Sequence, residues 1–257
     1  MPKFKFLRLT VGNGIATVTI DNPKVNAVTQ PMYVEMQEFF SQAASYLPDA
    51  RAIILTGAGK HFCAGNDLNE FMTMTPENSQ ARMRIVREAF WAIRDCSLPV
   101  IGAVQGAALG SGAAIAASCD ILVAAEGAKL GLPEVSVGMM GGVKHLSRLV
   151  PPNMVRLMFL TGDAVSMEKI EPYGGIAAIV TAEDLMPTAV KVAQRITRHS
   201  SVVLRIGKRS LNAVEYMDLK SGYEFEQGLS GELSAYEDAK EAVKSFFENR
   251  APEYVGH

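Results

Sequence analysis

Apolar and polar residues alternate along Ile15–Ile20, so that Ala16, Val18 and Ile20 share one face. That period of two is the mark of a half-buried strand. Asp21-Asn22-Pro23 ends it. From Pro31 to Leu47 the period lengthens, and Met32, Met36, Phe39, Phe40, Ala43 and Leu47 fall on one helical face. Pro31 suits the first turn of that helix, and Thr29 is a candidate cap. Ala52–Thr56 is a short apolar run entering Gly57-Ala58-Gly59, the pattern of a buried strand. Ser79–Arg94 predicts a helix; Pro99–Val104, Ile121–Ala125 and Ile176–Val180 predict strands. Strands alternating with helices predict an α/β domain. After about Thr181, helices are expected over Asp184–His199, Val202–Val214, Met217–Gly228 and Glu232–Asn249, with little strand signal. The apolar positions of this helical appendage are many for its length, so it is expected to pack on something, a neighbouring subunit being one candidate.

Composition narrows the function classes. The chain has 257 residues and a net charge of −2, enough for a full core and too little positive charge for nucleic acid as main partner. Cys63, Cys96 and Cys119 are too few and too scattered for a disulfide framework, and no metal-ligand spacing appears. A reducing compartment, the cytoplasm, is expected. A strand-like run begins within the first ten residues, which leaves no room for a signal peptide. Cys96–Cys119 carries no charge and is long enough to span a bilayer. Its Gly/Ala content, Pro99 and Gln105 divide it instead into a buried strand, a loop over Gln105–Ser111 and a small-residue helix over Gly112–Ser118.

Two segments carry the candidate chemistry. Phe62–Leu68 and Gln105–Asp120 are Gly/Ala-rich turns following apolar runs, and the second enters the small-residue helix. Glycines leave backbone N–H groups free to face a ligand, and a helix N-terminus adds partial positive charge. Together they suit an oxygen that becomes negative during a reaction. Two other patterns fail. Gly57-Ala58-Gly59-Lys60 has Ile54 and His61 where a phosphate loop needs Gly and Ser or Thr, and Gly110-Ser111-Gly112 has Ile115 where a dinucleotide fingerprint needs its third glycine. Leu132-Pro133-Glu134 offers a carboxylate among apolar neighbours, a usable general base if buried. On spacing alone the favoured reading is a helix-start glutamate near the dipole.

The ordered set resembles the crotonase, or enoyl-CoA hydratase/isomerase, superfamily over essentially the whole length. Its pieces are Asn22-Pro23-Lys24-Val25-Asn26-Ala27, Phe62–Leu68, Gln105–Asp120, Leu132-Pro133-Glu134, Arg148-Leu149 and a helical tail ending in Asn249-Arg250. The resemblance implies an α/β spiral core of ββα units over residues 1–190 and a C-terminal helical trimerisation region over 191–257. It implies an acyl-CoA thioester as substrate, coenzyme A being part of that substrate and no separate cofactor being needed. It further implies a homotrimer or a dimer of trimers, with no nucleic acid or membrane partner and no metal.

Carried over residue by residue, the backbone N–H groups of Asn66 and Ser111 form an oxyanion hole for the thioester oxygen, and Glu134 is the acid/base. Lys24, Ala27, Ala64, Asp67, Leu68, Ala114 and Pro133 are the implied substrate-binding positions. Asp67 and Asp120 are expected to be structural. Family hydratases use two glutamates, and the second falls on Ala114, which cannot move a proton. A single glutamate fits double-bond isomerisation of an enoyl-CoA. The alternatives are a hydratase with a displaced second acid, an acyl-CoA decarboxylase and a non-catalytic acyl-CoA-binding protein. Gly141 and Lys144-His145 depart from the family's usual proline and glycine pair, and Asn249 stands where hydratases often carry a CoA-contacting lysine. Met139 and Met140 are expected in the core ahead of the acyl site. His61 and His145 are expected to be structural, and Phe90 and Trp91 to be core or pocket wall.

Overall fold

The computed structural model describes residues 3–257. Strands β1 (Leu7–Gly12) and β2 (Ile15–Ile20) form an antiparallel hairpin. Ala16, Val18 and Ile20 are fully buried on one face of β2, as the alternation predicts. The expected Pro31–Leu47 helix is two: α1 (Gln30–Ser41) and a single turn, α2 (Ala43–Tyr46). Thr29 occupies the cap position of α1 by backbone conformation, yet its hydroxyl makes no capping bond. β3 (Ala52–Gly57) follows, then the one-turn α3 (Leu68–Phe71) and the long α4 (Pro76–Arg94). α4 starts three residues before the expected Ser79, because Thr75 and Asn78 form a reciprocal capping box and Pro76 takes the first helical position.

β4 (Val100–Val104) and α5 (Ser111–Ser118) are the expected strand and helix of the uncharged stretch, but the expected loop between them holds the short β5 (Ala107–Leu109), which pairs with a later strand; β6 (Ile121–Ala125) follows. β7 (Lys129–Gly131), a 3-10 turn over Pro133–Val137, α6 (Val143–Leu146), α7 (Pro152–Thr161), β8 (Val165–Ser166) and α8 (Met167–Ile170) come next. The chain ends with β9 (Ala178–Val180) and four helices: α9 (Leu185–Ile196), α10 (Ser201–Val214), α11 (Leu219–Leu233) and α12 (Glu237–Phe247). Among the described residues no helix is long and apolar enough to cross a membrane.

The main sheet runs β1-β2-β3-β4-β6-β9, parallel from β2 onward. A smaller sheet orders β5-β7-β8. Every residue of β3 and β4 is buried, so period two assigns alternate side chains to two different cores. Ile53, Leu55, Val100 and Val104 join the core under α1, α4 and α5, while Ile54, Ile101, Ala103 and Val123 face α9. Burial on both faces is why these strands read as continuous apolar runs.

One buried ion pair ties the C-terminal helices to this core. Lys208 of α10 is 5% exposed, and its Nζ lies 2.7 Å from Asp120 Oδ2 and 3.1 Å from the Leu98 carbonyl. Asp120, 22% exposed, also accepts from the Val100 amide at 2.7 Å, so its expected structural role has a physical basis. Replacing Lys208 by Met strands a largely desolvated carboxylate. The expected cost is about 3 kcal/mol, read as a lower midpoint in urea unfolding. An unchanged midpoint would show that the pair contributes nothing net.

Candidate active site

The loop after β2 and the loop after β3 are stitched together by backbone hydrogen bonds. The Ala64 amide donates to Val25, Val28 to Gly65 and Asp67 to Val28, at 2.8–3.0 Å. Val28 and Asn66 thus form an isolated parallel bridge. In such a bridge the groups used belong to Val28, Gly65 and Asp67, so the N–H and C=O of Asn66 itself point the other way. Asn26 locks the pair from within. It is 2% exposed, and its amide donates to the carbonyls of Ala58, His61 and Phe62.

The second loop lies against the first. Cys63 bridges Ala108, and Gly110 precedes α5 with φ +53, a conformation that favours glycine. Ser111 is therefore the first residue of α5, and its amide is one of the N–H groups a helix leaves unpaired. Among the described residues, neither the Asn66 nor the Ser111 amide donates to a protein group. α5 is buried along its whole length, which holds that terminus rigidly.

Glu134 sits in the 3-10 turn after Pro133, and its carboxylate reaches back to these glycines. A Cβ built on Gly110 would lie 3.2 Å from Glu134 Oε1 and 3.8 Å from Gly65 Cα. On the other side, a Cβ on Gly141 would lie 3.3 Å from the same oxygen. The carboxylate is half-buried, and Oε2 is shut off from water with no hydrogen-bond partner. Desolvation raises its pKa above the ordinary carboxylate range, partly countered by a backbone hydrogen bond. The free-base form is the one that accepts a proton. Activity is therefore expected to fall as pH drops through this raised pKa, with an acid limb above the ordinary Glu value of about 4.3. A pH–rate profile with its limb at or below that value would refute the desolvated base.

A cleft of about 440 Å³ opens between the two loops and the Glu134 turn. Of the residues implied by sequence, Ala27, Ala64, Asn66, Asp67, Leu68, Ser111, Pro133 and Glu134 all line it. Lys24 and Ala114 are not on its wall. Lys24 is exposed beside Val25, which is; Ala114 is 1% exposed inside α5, one turn beyond Ser111. Asp67 caps α3 through the Asn69 amide at 2.8 Å, so it has a structural task as well as a place on the wall.

Several expectations need correction. Met139 lines the cleft and Met140 is 75% exposed, so neither fills the core. Trp91 is 51% exposed, because α4 turns Ala89, Phe90, Ala92 and Ile93 inward and leaves Trp91 outside, near Arg87. The structural role expected of the histidines has visible partners. His61 Nδ1 accepts from the Ala107 amide at 3.1 Å, and His145 packs edge-on against Phe90 at 5.1 Å. Arg250 is bound to Glu241 and Glu248 within its own chain.

The residue that sequence reasoning missed is Tyr33. It lies on α1 beside the predicted apolar stripe and is fully buried. Its hydroxyl donates to Asn66 Oδ1 at 2.5 Å. Burial pushes the phenol pKa up, so it stays a donor. One side chain thus ties α1 to the loop after β3 at Asn66. Cys63, directly beneath, is buried with its thiol pushed up to about 12, which removes it as a nucleophile.

Comparison with known proteins places the fold in a family. The family model for enoyl-CoA hydratase/isomerase matches residues 10–257. The chain belongs to the enoyl-CoA hydratase/isomerase family. It is 34% identical over 244 residues to the (7aS)-7a-methyl-1,5-dioxo-2,3,5,6,7,7a-hexahydro-1H-indene-carboxyl-CoA hydrolase of Rhodococcus jostii, covering 95% of this chain and 94% of that one. It is 33% identical over 241 residues to the short-chain-enoyl-CoA hydratase of Clostridium acetobutylicum, covering 92% of each. Among solved structures, the enoyl-CoA hydratase of Bacillus anthracis superimposes with a TM-score of 0.91 at 27% identity, over 98% of this chain and all of that one (100%). The crotonase fold expected from the ordered motifs is therefore the fold observed, C-terminal helices included. Family members with these names act on CoA thioesters.

Proposed function

We propose that this member of the family stabilises a thioester enolate between the Asn66 and Ser111 amides, with Glu134 as sole acid/base, and that it isomerises enoyl-CoA double bonds. The supporting observation is the cleft itself. Two unpaired amides and one desolvated carboxylate converge there. The position that would hold a second glutamate is Ala114, buried off the wall. In an enoyl-CoA with a 3,4 double bond, Glu134 removes a proton from C2. The negative charge spreads onto the thioester oxygen, where preorganised N–H donors stabilise it by roughly 3–4 kcal/mol each. The same carboxyl then returns the proton at C4. One group suffices because the proton never leaves the site.

A second reading is hydrolysis, favoured by the names of the relatives at 34% and 35% identity. There Glu134 would activate a water, and the amides would hold the oxyanion. Hydration, as in the relative from Clostridium acetobutylicum, would need a second proton donor in place of Ala114. The exposed Leu219, Tyr223, Phe246 and Phe247 of α11 and α12 support the expected self-association into trimers.

The test is a product analysis with trans-2- and trans-3-enoyl-CoA. Conversion of the 3-enoyl substrate at unchanged mass, lost in Glu134→Gln, supports isomerisation. A product heavier by one water from the 2-enoyl substrate means hydration, and free CoA means thioester hydrolysis. No conversion with retained binding would leave a binding protein.

A further inference from the structure

The side chain of Asn66 has its own consequence, separate from its backbone amide. Its Oδ1 is committed to Tyr33 at 2.5 Å. A primary amide that spends its oxygen in this way keeps its two N–H donors for other partners. Asn66 is half-buried, and among the described residues its Nδ2 meets no protein acceptor and is not closed off from solvent. The residue lines the cleft a few atoms from where its backbone N–H would hold the thioester oxygen. Tyr33 is itself fixed. It is fully buried and packs edge-on against Phe90 at 5.8 Å. The orientation of the Asn66 amide is therefore set before any ligand arrives, so little ordering is needed to use it.

Resting on the acyl-CoA reading above, we propose that Asn66 Nδ2 is a specificity determinant for acyl-CoA thioesters that carry a second acceptor oxygen, such as an oxo group, on the first few carbons of the acyl chain. Tyr33 is its positioning residue. A plain hydrocarbon chain leaves this donor facing apolar atoms once the cleft is filled and dry. An oxo group accepts its hydrogen bond. Sites that present a buried donor discriminate against ligands lacking its partner.

The test compares binding of two coenzyme A analogues in which a methylene replaces the thioester sulfur, so that neither is hydrolysed. One carries a butyryl group and the other a 3-oxobutyryl group. Calorimetry on the full chain should give tighter binding of the oxo ligand by about 3- to 10-fold, the contribution of one added hydrogen bond. Asn66→Ala should bring that ratio to about one. Asn66→Asp keeps the shape and the bond to Tyr33 but replaces the donor with an oxygen, so the ratio should fall to one or below. Tyr33→Phe frees the amide and should lower the ratio part-way, a change that simple loss of stability would not produce. A ratio of one in the unaltered chain, or an unaltered ratio in Asn66→Asp, overturns the proposal and leaves the acyl-CoA reading intact. Binding of neither analogue overturns both.

Discussion

Glu134→Gln is expected to lower turnover by about 10²- to 10⁴-fold while leaving affinity for a CoA thioester nearly unchanged. The substitution keeps the shape of a side chain that touches Gly110 and Gly141 and removes only its ability to take a proton. It also bears on stability. Desolvation holds the folded-state pKa of Glu134 above its unfolded value. A group raised in this way stabilises the fold below the unfolded pKa and loses that contribution as pH rises through the folded one. At neutral pH the ionised carboxylate is therefore a burden, with Oε2 buried and unpaired. The Gln variant should melt at a higher temperature at pH 7, and the gain should shrink in acid. Calorimetric melting at both pH values checks this. Lower turnover joined to higher stability is the signature of a strained functional group. A variant that lost stability at pH 7 would show that the carboxylate is held by partners and is not poised as a base.

Gly112→Ala is expected to do comparable damage without touching any reacting group. A Cβ there would sit 2.0 Å from the Cys63 carbonyl oxygen and 2.8 Å from its carbon. Neither neighbour can yield, since that oxygen accepts from the Leu109 amide at 3.0 Å and Cys63 is locked in the bridge to Ala108. The start of α5 must move outward, carrying the Ser111 amide with it. A shift of that order typically costs about 10²-fold in rate, and the overpacking about 1–3 kcal/mol. Gly207→Ala in α10 is the control, because nothing lies within 4 Å of the added methyl. It should leave turnover alone and stabilise the helix by roughly 0.5–1 kcal/mol. Equal turnover in the two variants would mean that the Ser111 amide does not contribute to the reaction.

The remaining predictions separate the same two layers. The urea midpoint of Lys208→Met reports on the anchoring of α10, and the pH–rate profile on the environment of Glu134. The Asn66 series reports on what the cleft selects.

What the chain by itself determined is mostly periodic. The stripe of Met32, Met36, Phe39 and Phe40, the alternation in β2 and the apolar runs of β3, β4 and β6 are repeats that a helix or strand must bury, and all are buried. The Gly/Ala-rich turns before Asn66 and Ser111 were also legible, because free backbone donors depend on local turn chemistry, whereas Glu134 was singled out through the family resemblance. The edges were less so. α4 begins at Pro76 through a capping box that apolar spacing does not register, and the short strands β5, β7 and β8 are too brief to show a period. Only the tertiary structure decided the rest. Period alone could not say that α4 would leave Trp91 outside, or that Met139 would face the cleft, since each depends on which neighbours arrive. It could not turn Tyr33 from a helix residue into the partner of Asn66, in another segment of the chain. Nor could it say whether the Glu134 carboxylate would be desolvated. Desolvation is a sum over every atom that excludes water, and most of those around Glu134 come from residues distant in sequence.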